Sequence, residues 1–143
     1  MSRYELDADD GVSWCLLYTK PRAEVWVDAN LRKQGFVCLL PRVGTRAGLG
    51  PLFPRYVFAG YTPGQRSQSL AGTYGVQYVV HCAGRPARVP AEVIAEIVAR
   101  MDARGVVELE RSSGADPIFA KRQRDRLATL EKFAAAGFKV RVA

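Results

Sequence analysis

Apolar segments alternate with helical repeats along the chain, in an order that indicates an α+β fold. Strand-like runs cover 14–19, 36–40, 55–61 and 76–82. Apolar residues recur at helical spacing in 22–34 and 90–103, and a short polar stretch at 65–71 has room for one or two helical turns. This order predicts a mainly antiparallel four-stranded sheet with flanking helices, followed by a C-terminal helical extension.

The first helix has clear start and stop signals. Ala23, Val27 and Leu31 recur every four residues and form its predicted buried stripe. Pro21 suits the first helical turn, because its missing N–H would have no partner there. Gly35 suits the position just after the helix, where a left-handed backbone is common.

The segment 51–60 is the most distinctive part of the chain. Pro51 and Pro54 each fix their own φ and favour extended geometry in the residue before them. Tyr56 and Phe58 lie two residues apart and so share one face of the following strand, while Arg55 is expected on the opposite face with Val57 and Ala59. Two interpretations stay open: a buried strand with a rigid entry turn, or a partly exposed apolar patch for a protein partner.

The remaining segments divide the chain into three parts. Residues 1–12 are expected to be a disordered lead, 13–105 the folded domain, and 106–143 a linker, a basic amphipathic helix and the start of one more strand. The glycine-rich stretch 44–50 has no periodicity and is predicted to be a mobile loop at a hairpin tip. A short strand is expected at 106–110 and a helix at 117–136, whose clustered cations indicate either a nucleic-acid-binding face or a solvated one.

Composition and charge narrow the class of protein. The chain is 48% apolar without a long apolar run, so no membrane span is expected. Its first residues lack the basic-then-apolar order of a signal peptide, which favours a cytoplasmic location. Residues 11–91 hold ten Lys or Arg against two acids, a net charge of +8. A domain with this net positive charge is suited to binding a polyanion such as nucleic acid. The same charge is equally compatible with a soluble domain that merely has a basic bias.

No pattern in the sequence indicates catalysis, a metal site or a cofactor. Cys15, Cys38 and Cys82 lie in apolar runs without paired spacing, which is typical of small buried side chains rather than zinc ligands or disulfides. His81 is the only histidine and has no neighbouring nucleophile or orienting acid in a known motif. The sequence also lacks a phosphate-binding loop and paired carboxylates, so binding is the favoured class of activity.

Several segments in series resemble the NusG/RfaH family of transcription elongation factors. The most specific is 52–58, Leu-Phe-Pro-Arg-Tyr-Val-Phe. The other matching pieces are 14–22, 34–36 with 41–42, 73–76 with 79–80, and 86–94. The resemblance runs from about 13 to 104 and implies the fold of the NusG N-terminal domain. It also implies that 139–142 corresponds to the first strand of the family's KOW barrel; a truncated product and a natural one-domain paralogue both stay open.

The resemblance further implies a site for bacterial RNA polymerase. In the family, an apolar pocket grips the clamp helices of the largest catalytic subunit, and a short polar segment touches the other side of the cleft. Bridging both sides would hold the clamp shut and suppress pausing. The matching polymerase-binding positions are Trp14, Tyr18, Leu52, Phe53, Tyr56, Phe58, Ser67, Gln68 and Ser69.

A second implied surface faces single-stranded DNA. The matching positions are Lys20, Arg22, Trp26, Asn30, Lys33 and Tyr74. Stacking on an aromatic ring and phosphate contact by a cation are what a single strand requires. RfaH members have polar or basic residues in the places of Trp26 and Tyr74, so their specific DNA element does not transfer.

The leading hypothesis is therefore an elongation and antitermination factor that binds RNA polymerase and nearby single-stranded DNA. A generic RNA-binding α+β domain is the alternative, although the basic-Gly-aromatic signature of RNA-recognition motifs is missing. In some relatives a C-terminal helix masks the polymerase pocket. Here the apolar residues of 117–136 could cover Phe53, Tyr56 and Phe58 in that way, or could brace the helix after Pro90 or a second copy of the chain.

Overall fold

The computed structural model describes residues 11–109 and 117–138. The expected lead at 1–10, the linker at 111–115 and the strand at 139–142 lie outside these ranges. The elements in chain order are β1 Ser13–Thr19, α1 Glu24–Lys33, β2 Val37–Leu39, β3 Arg42–Thr45, β4 Gly48–Pro51, β5 Tyr56–Tyr61, α2 Gln68–Ala71, β6 Val76–Val79, β7 His81–Cys82, β8 Arg85–Pro86, β9 Arg88–Val89, α3 Ala91–Arg100, a 3₁₀ turn Pro117–Phe119 and α4 Gln123–Ala135.

The central sheet has the strand order β2-β5-β1-β6, and all its pairs are antiparallel. The first half of β1 also pairs with β9, so β1 has neighbours along both sides. It is the most continuously apolar strand, as a strand buried on both faces should be. The predicted α+β fold with an antiparallel sheet is confirmed, but β9 makes the sheet five-stranded rather than four-stranded.

Alternation along the strands separates two apolar layers, because successive side chains point to opposite faces. Leu16, Leu39 and Phe58 belong to the layer that packs against α3 and α4. Leu17 and Val57 belong to the layer on the other face, which α1 and α2 cover. The sheet is therefore covered by helices on both faces.

Three predicted elements differ from the structure. The stretch expected to be a loop at 44–50 forms most of an antiparallel hairpin, β3 with β4, in which Val43 pairs with Gly50. The first helix begins at Glu24, so Pro21 lies in the turn before it rather than in its first turn. The strand expected at 76–82 is divided: β6 joins the central sheet, whereas β7 forms a separate hairpin with β8.

The second half of the chain also differs in detail. Helix α3 ends at Arg100, before the expected 103, and the strand expected at 106–110 is reduced to isolated bridges at Val106 and Val107. The C-terminal helix is shorter than expected, because a 3₁₀ turn comes first and α4 begins only at Gln123. No helix in the described ranges combines the length and the apolar character needed to cross a bilayer.

Candidate functional site

The apolar patch, defined as Leu52, Phe53, Tyr56 and Phe58, lies where the hairpin β3–β4 leads into β5. The Leu52 N–H donates to the Pro41 carbonyl at 2.8 Å, and the Tyr56 N–H donates to the Phe53 carbonyl at 3.0 Å. The first bond continues the pairing of the β3–β4 hairpin, and the second closes the turn that the two prolines predict. The rings of Phe53 and Phe58 meet edge to face, with centroids 6.0 Å apart. The sequence-predicted cluster is therefore one packed unit.

The patch is buried, with no member more than 6% exposed. The tail, defined as the 3₁₀ turn and α4, covers it: Ile118, Phe119 and Leu130 are buried in the same apolar layer. An open, partly exposed patch is therefore wrong for this structure, and the buried strand with a rigid entry turn is correct. The tail that contributes to this layer lies more than 50 residues further along the chain.

Two side-chain contacts attach the tail to the patch. The guanidinium of Arg126 donates to the Leu52 carbonyl at 3.1 Å. The Tyr56 hydroxyl donates to the Glu131 carboxylate at 2.8 Å. At the far end of α4, the Cys82 thiol donates to the Ala135 carbonyl at 3.3 Å. Polar contacts thus hold the tail along its whole length.

The tail contacts α3 as well. The Arg100 guanidinium lies 4.1 Å from the centre of the Phe119 ring, a cation–π contact. Ile94 and Ile97 of α3 share the apolar layer with Leu130. The sequence left two alternatives open for the tail: covering the patch, or bracing the helix after Pro90. The structure contains contacts of both kinds.

Arg126 is an unusual anchor, because it is only 3% exposed. Its guanidinium also donates to the Ala120 and Lys121 carbonyls, at 2.9 and 2.8 Å. Burial lowers the pKa of this group. Neutral carbonyls satisfy its donors but compensate its charge less well than a carboxylate would, so its burial retains a desolvation cost.

Replacing Tyr56 by Phe should loosen the tail. The hydroxyl–carboxylate bond would be lost while the ring stays in place, at an expected cost of about 1 kcal/mol in the free energy of unfolding. Burial raises the pKa of the Tyr56 phenol, and the bond to Glu131 raises it further. Because the folded-state pKa is raised, this stabilisation is complete below the unfolded value of about 10 and is lost as pH rises from there towards the folded value. The difference between the two proteins should therefore shrink as pH rises above 10.

Urea denaturation between pH 7 and 11 measures both effects. Tyr61→Phe is the matched control, since Tyr61 is on the same strand and its hydroxyl has no partner within the described ranges. Equal stability of the Tyr56→Phe protein and the unaltered protein at pH 7 would show that this bond does not hold the tail.

The aromatic edge, defined as Lys20, Trp26 and Tyr74, is the second surface. Trp26 is 59% exposed and Tyr74 is 71% exposed, and their ring centroids lie 6.3 Å apart. The Lys20 ammonium lies 5.7 Å from the centre of the Tyr74 ring. Exposed aromatic rings beside a cation can stack on bases and contact a phosphate.

Gly75 sets the position of Tyr74. It adopts φ +94°, and a Cβ there would lie 2.8 Å from Val27 Cγ2 on α1. Its carbonyl accepts a hydrogen bond from the Lys20 N–H at 2.9 Å. Only glycine gives this left-handed backbone and this close approach without strain, so it holds Tyr74 next to Trp26 and Lys20.

Other predicted positions are not gathered into these two surfaces. Trp14 is buried in the layer beneath α3. Ser67 precedes α2 and lines, with Gln68, a cavity of about 180 Å³ on the α2 side of the sheet, while Ser69 lies within α2. Arg22 and Lys33 are exposed, and Asn30 is half-buried.

The cysteines and the histidine have structural surroundings. Cys15 and Cys38 are buried, and burial raises the pKa of the Cys15 thiol to about 12, which makes it unreactive. His81 Nδ1 lies 2.6 Å from the Val79 carbonyl oxygen. Among the described residues, no three His, Cys, Asp or Glu side chains are grouped closely enough to hold a metal ion.

Sequence reasoning missed residues that the structure brings beside these surfaces. Arg55 was expected on the strand face opposite Tyr56, but it precedes β5 with φ +74°, and its guanidinium lies 4.2 Å from the Tyr18 ring centre. Tyr78 is half exposed and stacks on Tyr18. Arg126 was counted only as one member of a basic cluster. Two features of the sequence could have identified these residues: the arginine directly after Pro54, and the tyrosine in the edge strand β6.

Comparison with known proteins identifies the domain. The family model described as "Transcription termination factor nusG" matches residues 12–98, which is more than half of the chain. A search of curated proteins finds no significant match. The matched segment contains the apolar patch, the aromatic edge and every strand of the central sheet. The chain therefore belongs to the NusG family of transcription factors.

Proposed function

We propose that the chain is a transcription elongation and antitermination factor that binds the clamp helices of RNA polymerase and the nearby single-stranded non-template DNA. The family match over residues 12–98 carries this proposal, since NusG-family proteins generally interact with RNA polymerase. Members of the family are transcription factors rather than enzymes, and we extend that to this chain.

The apolar patch is the proposed polymerase contact. Phe53, Tyr56 and Phe58 provide large rigid rings of the kind that dominate interface energies. Tyr18 extends the patch towards solvent, since its ring lies 5.2 Å from that of Tyr56 and is only partly buried. Ser67, Gln68 and Ser69 are proposed to contact the other side of the polymerase cleft, which would hold the clamp shut and suppress pausing.

The tail is proposed to mask this contact. The contacts of Arg126 with Leu52 and of Glu131 with Tyr56 support the mask, because a clamp helix and α4 would need the same surface.

The aromatic edge is the proposed DNA contact, together with Arg22, Asn30 and Lys33 on and before α1. Trp26 and Tyr74 are exposed with the tail docked, so DNA binding would not require its release.

The test is binding to purified bacterial RNA polymerase, assembled on a scaffold with an unpaired non-template strand, with RNA binding measured alongside. The proposal predicts retention of the chain on the complex and weaker retention when the non-template strand is fully paired. RNA binding without polymerase binding, both by the unaltered chain and by one with a displaced tail, would reject it in favour of the generic RNA-binding domain.

A further inference from the structure

We propose that Tyr78, with Tyr18, Arg55 and Gln77 around it, forms a second base-stacking subsite that continues the aromatic edge along β6. Its ligand is one unpaired nucleotide of a single-stranded nucleic acid. The subsite rests on the proposed single-strand binding and extends it to Tyr78, Arg55 and Gln77, which the family resemblance does not assign.

Tyr78 has one covered ring face and one open face. Its ring stacks on Tyr18 at a centroid distance of 4.9 Å and an angle of 28°. The residue is nevertheless 48% exposed, because β6 is the edge strand of the sheet. A ring held flat from one side is rigid and ready to stack with a base on the other side, at a low cost in side-chain entropy.

An irregularity in the sheet creates this exposure. The pairing of β1 with β6 shifts register between Tyr18 and Thr19. Val76 and Val79 therefore both pack into the layer under α1, although they lie three residues apart, and the two residues between them are exposed. Bulges of this kind redirect side chains and are frequent beside functional sites.

Arg55 supplies a fixed positive charge over the Tyr18 ring on which Tyr78 stacks. Its Nε donates to the Thr19 carbonyl at 3.1 Å and its Nη2 to the Gln77 side-chain oxygen at 2.8 Å. These contacts use two of the five guanidinium N–H donors, and a phosphate can accept hydrogen bonds from the others.

The backbone of Arg55 is strained. Its φ of +74° is a conformation that glycine adopts easily and arginine does not. Its N–H donates to the carboxylate of the buried Glu24 at 2.9 Å, which helps to compensate. Strain held in this way by its surroundings is typical of functional positions.

The two subsites are neighbours in sequence at one edge of the sheet. Tyr74 and Tyr78 are four residues apart at the same edge, a separation of at most about 13 Å in an extended strand. Lys20 lies beside Tyr74, and Arg55 lies over Tyr18, on which Tyr78 stacks. Among the nearby acids, Glu24 and Asp28 are buried and Asp28 pairs with Arg32, while the Glu131 carboxylate accepts a hydrogen bond from Tyr56, whose ring lies beside Tyr18. Stacked rings with Lys20 and Arg55 beside them fit a nucleic acid strand.

The test uses the full chain and a fluorescein-labelled twelve-residue oligothymidine, with binding followed by anisotropy at low salt. Tyr78→Ala should weaken binding about tenfold, as expected for the loss of one stacked base. Tyr78→Phe should keep the affinity within about twofold, because the stacking ring stays. Tyr78→Leu retains an apolar side chain and should resemble Tyr78→Ala, which guards against a folding defect in the alanine variant. Leu49→Ala, at an exposed position in β4, is the matched control and should not change binding.

The outcomes separate this inference from the proposed function. Unchanged oligonucleotide binding by Tyr78→Leu, together with weakened binding by Tyr74→Ala, would overturn the second subsite and leave the proposed DNA contact intact. A loss of polymerase binding with unchanged oligonucleotide binding would make Tyr78 a protein contact and also overturn it. Failure of the unaltered chain to bind the oligonucleotide would reject both.

Discussion

A chain carrying Leu130→Asp is expected to bind RNA polymerase about tenfold more tightly than the unaltered chain. Leu130 of α4 is fully buried in the apolar layer that contains the patch, and a carboxylate cannot stay there without a partner. The tail should therefore leave the patch, and tenfold corresponds to a mask worth about 1.4 kcal/mol. A titration of labelled polymerase gives the dissociation constants.

Ala128→Asp is the matched control, because it adds the same charge to an exposed position of the same helix. It should bind like the unaltered chain. A chain lacking residues 112–143 should reproduce the tighter binding by a different route. If Leu130→Asp binds equally or more weakly while circular dichroism shows a folded domain, the tail is a structural brace and not a mask.

Phe53→Ala is expected to lower the free energy of unfolding by about 3–5 kcal/mol. The side chain is 1% exposed and packs against Phe58, so its removal leaves a cavity that the surrounding layer cannot fill. On the interpretation of 51–60 as a partly exposed patch, this substitution would weaken polymerase binding with little loss of folding. The burial of Phe53 corrects that expectation, because one side chain serves both the core and the proposed interface.

Urea denaturation measures this loss as a shift of the midpoint at constant slope. Leu49→Ala serves as the control, since a 47% exposed side chain outside the core should change the free energy of unfolding by no more than about 0.5 kcal/mol. A loss below about 1 kcal/mol for Phe53→Ala would mean that the patch is not packed under the tail in solution.

The fold could be predicted from the sequence because its elements have strong local signals. The apolar run of β1, the four-residue stripe of α1 and the proline-bracketed entry to β5 each fix an element without reference to the rest of the chain. The hairpin β3–β4 could not, because glycine and threonine carry little periodicity and its stability comes from pairing between the two strands.

The sites were predictable in composition but not in arrangement. The family resemblance implied two surfaces of aromatic and basic residues, yet neither the position of the tail nor the register shift at Tyr18 has a local signal. Arg126 is the clearest case. Arginine in a basic helix is normally exposed, and only contacts with segments distant in sequence explain why this one is buried.

The carbonyl contacts of Arg126 have a consequence for how the chain can diverge. Every amino acid provides the same main-chain oxygen, so the bonds to residues 120 and 121 place no demand on the side chains there. Only the residue at position 126 is constrained, because a lysine there would lack the planar guanidinium that can donate to several acceptors at once. Homologues whose tails dock in this way should therefore keep arginine at 126 while positions 120 and 121 drift freely, and that contrast would identify docked tails from an alignment.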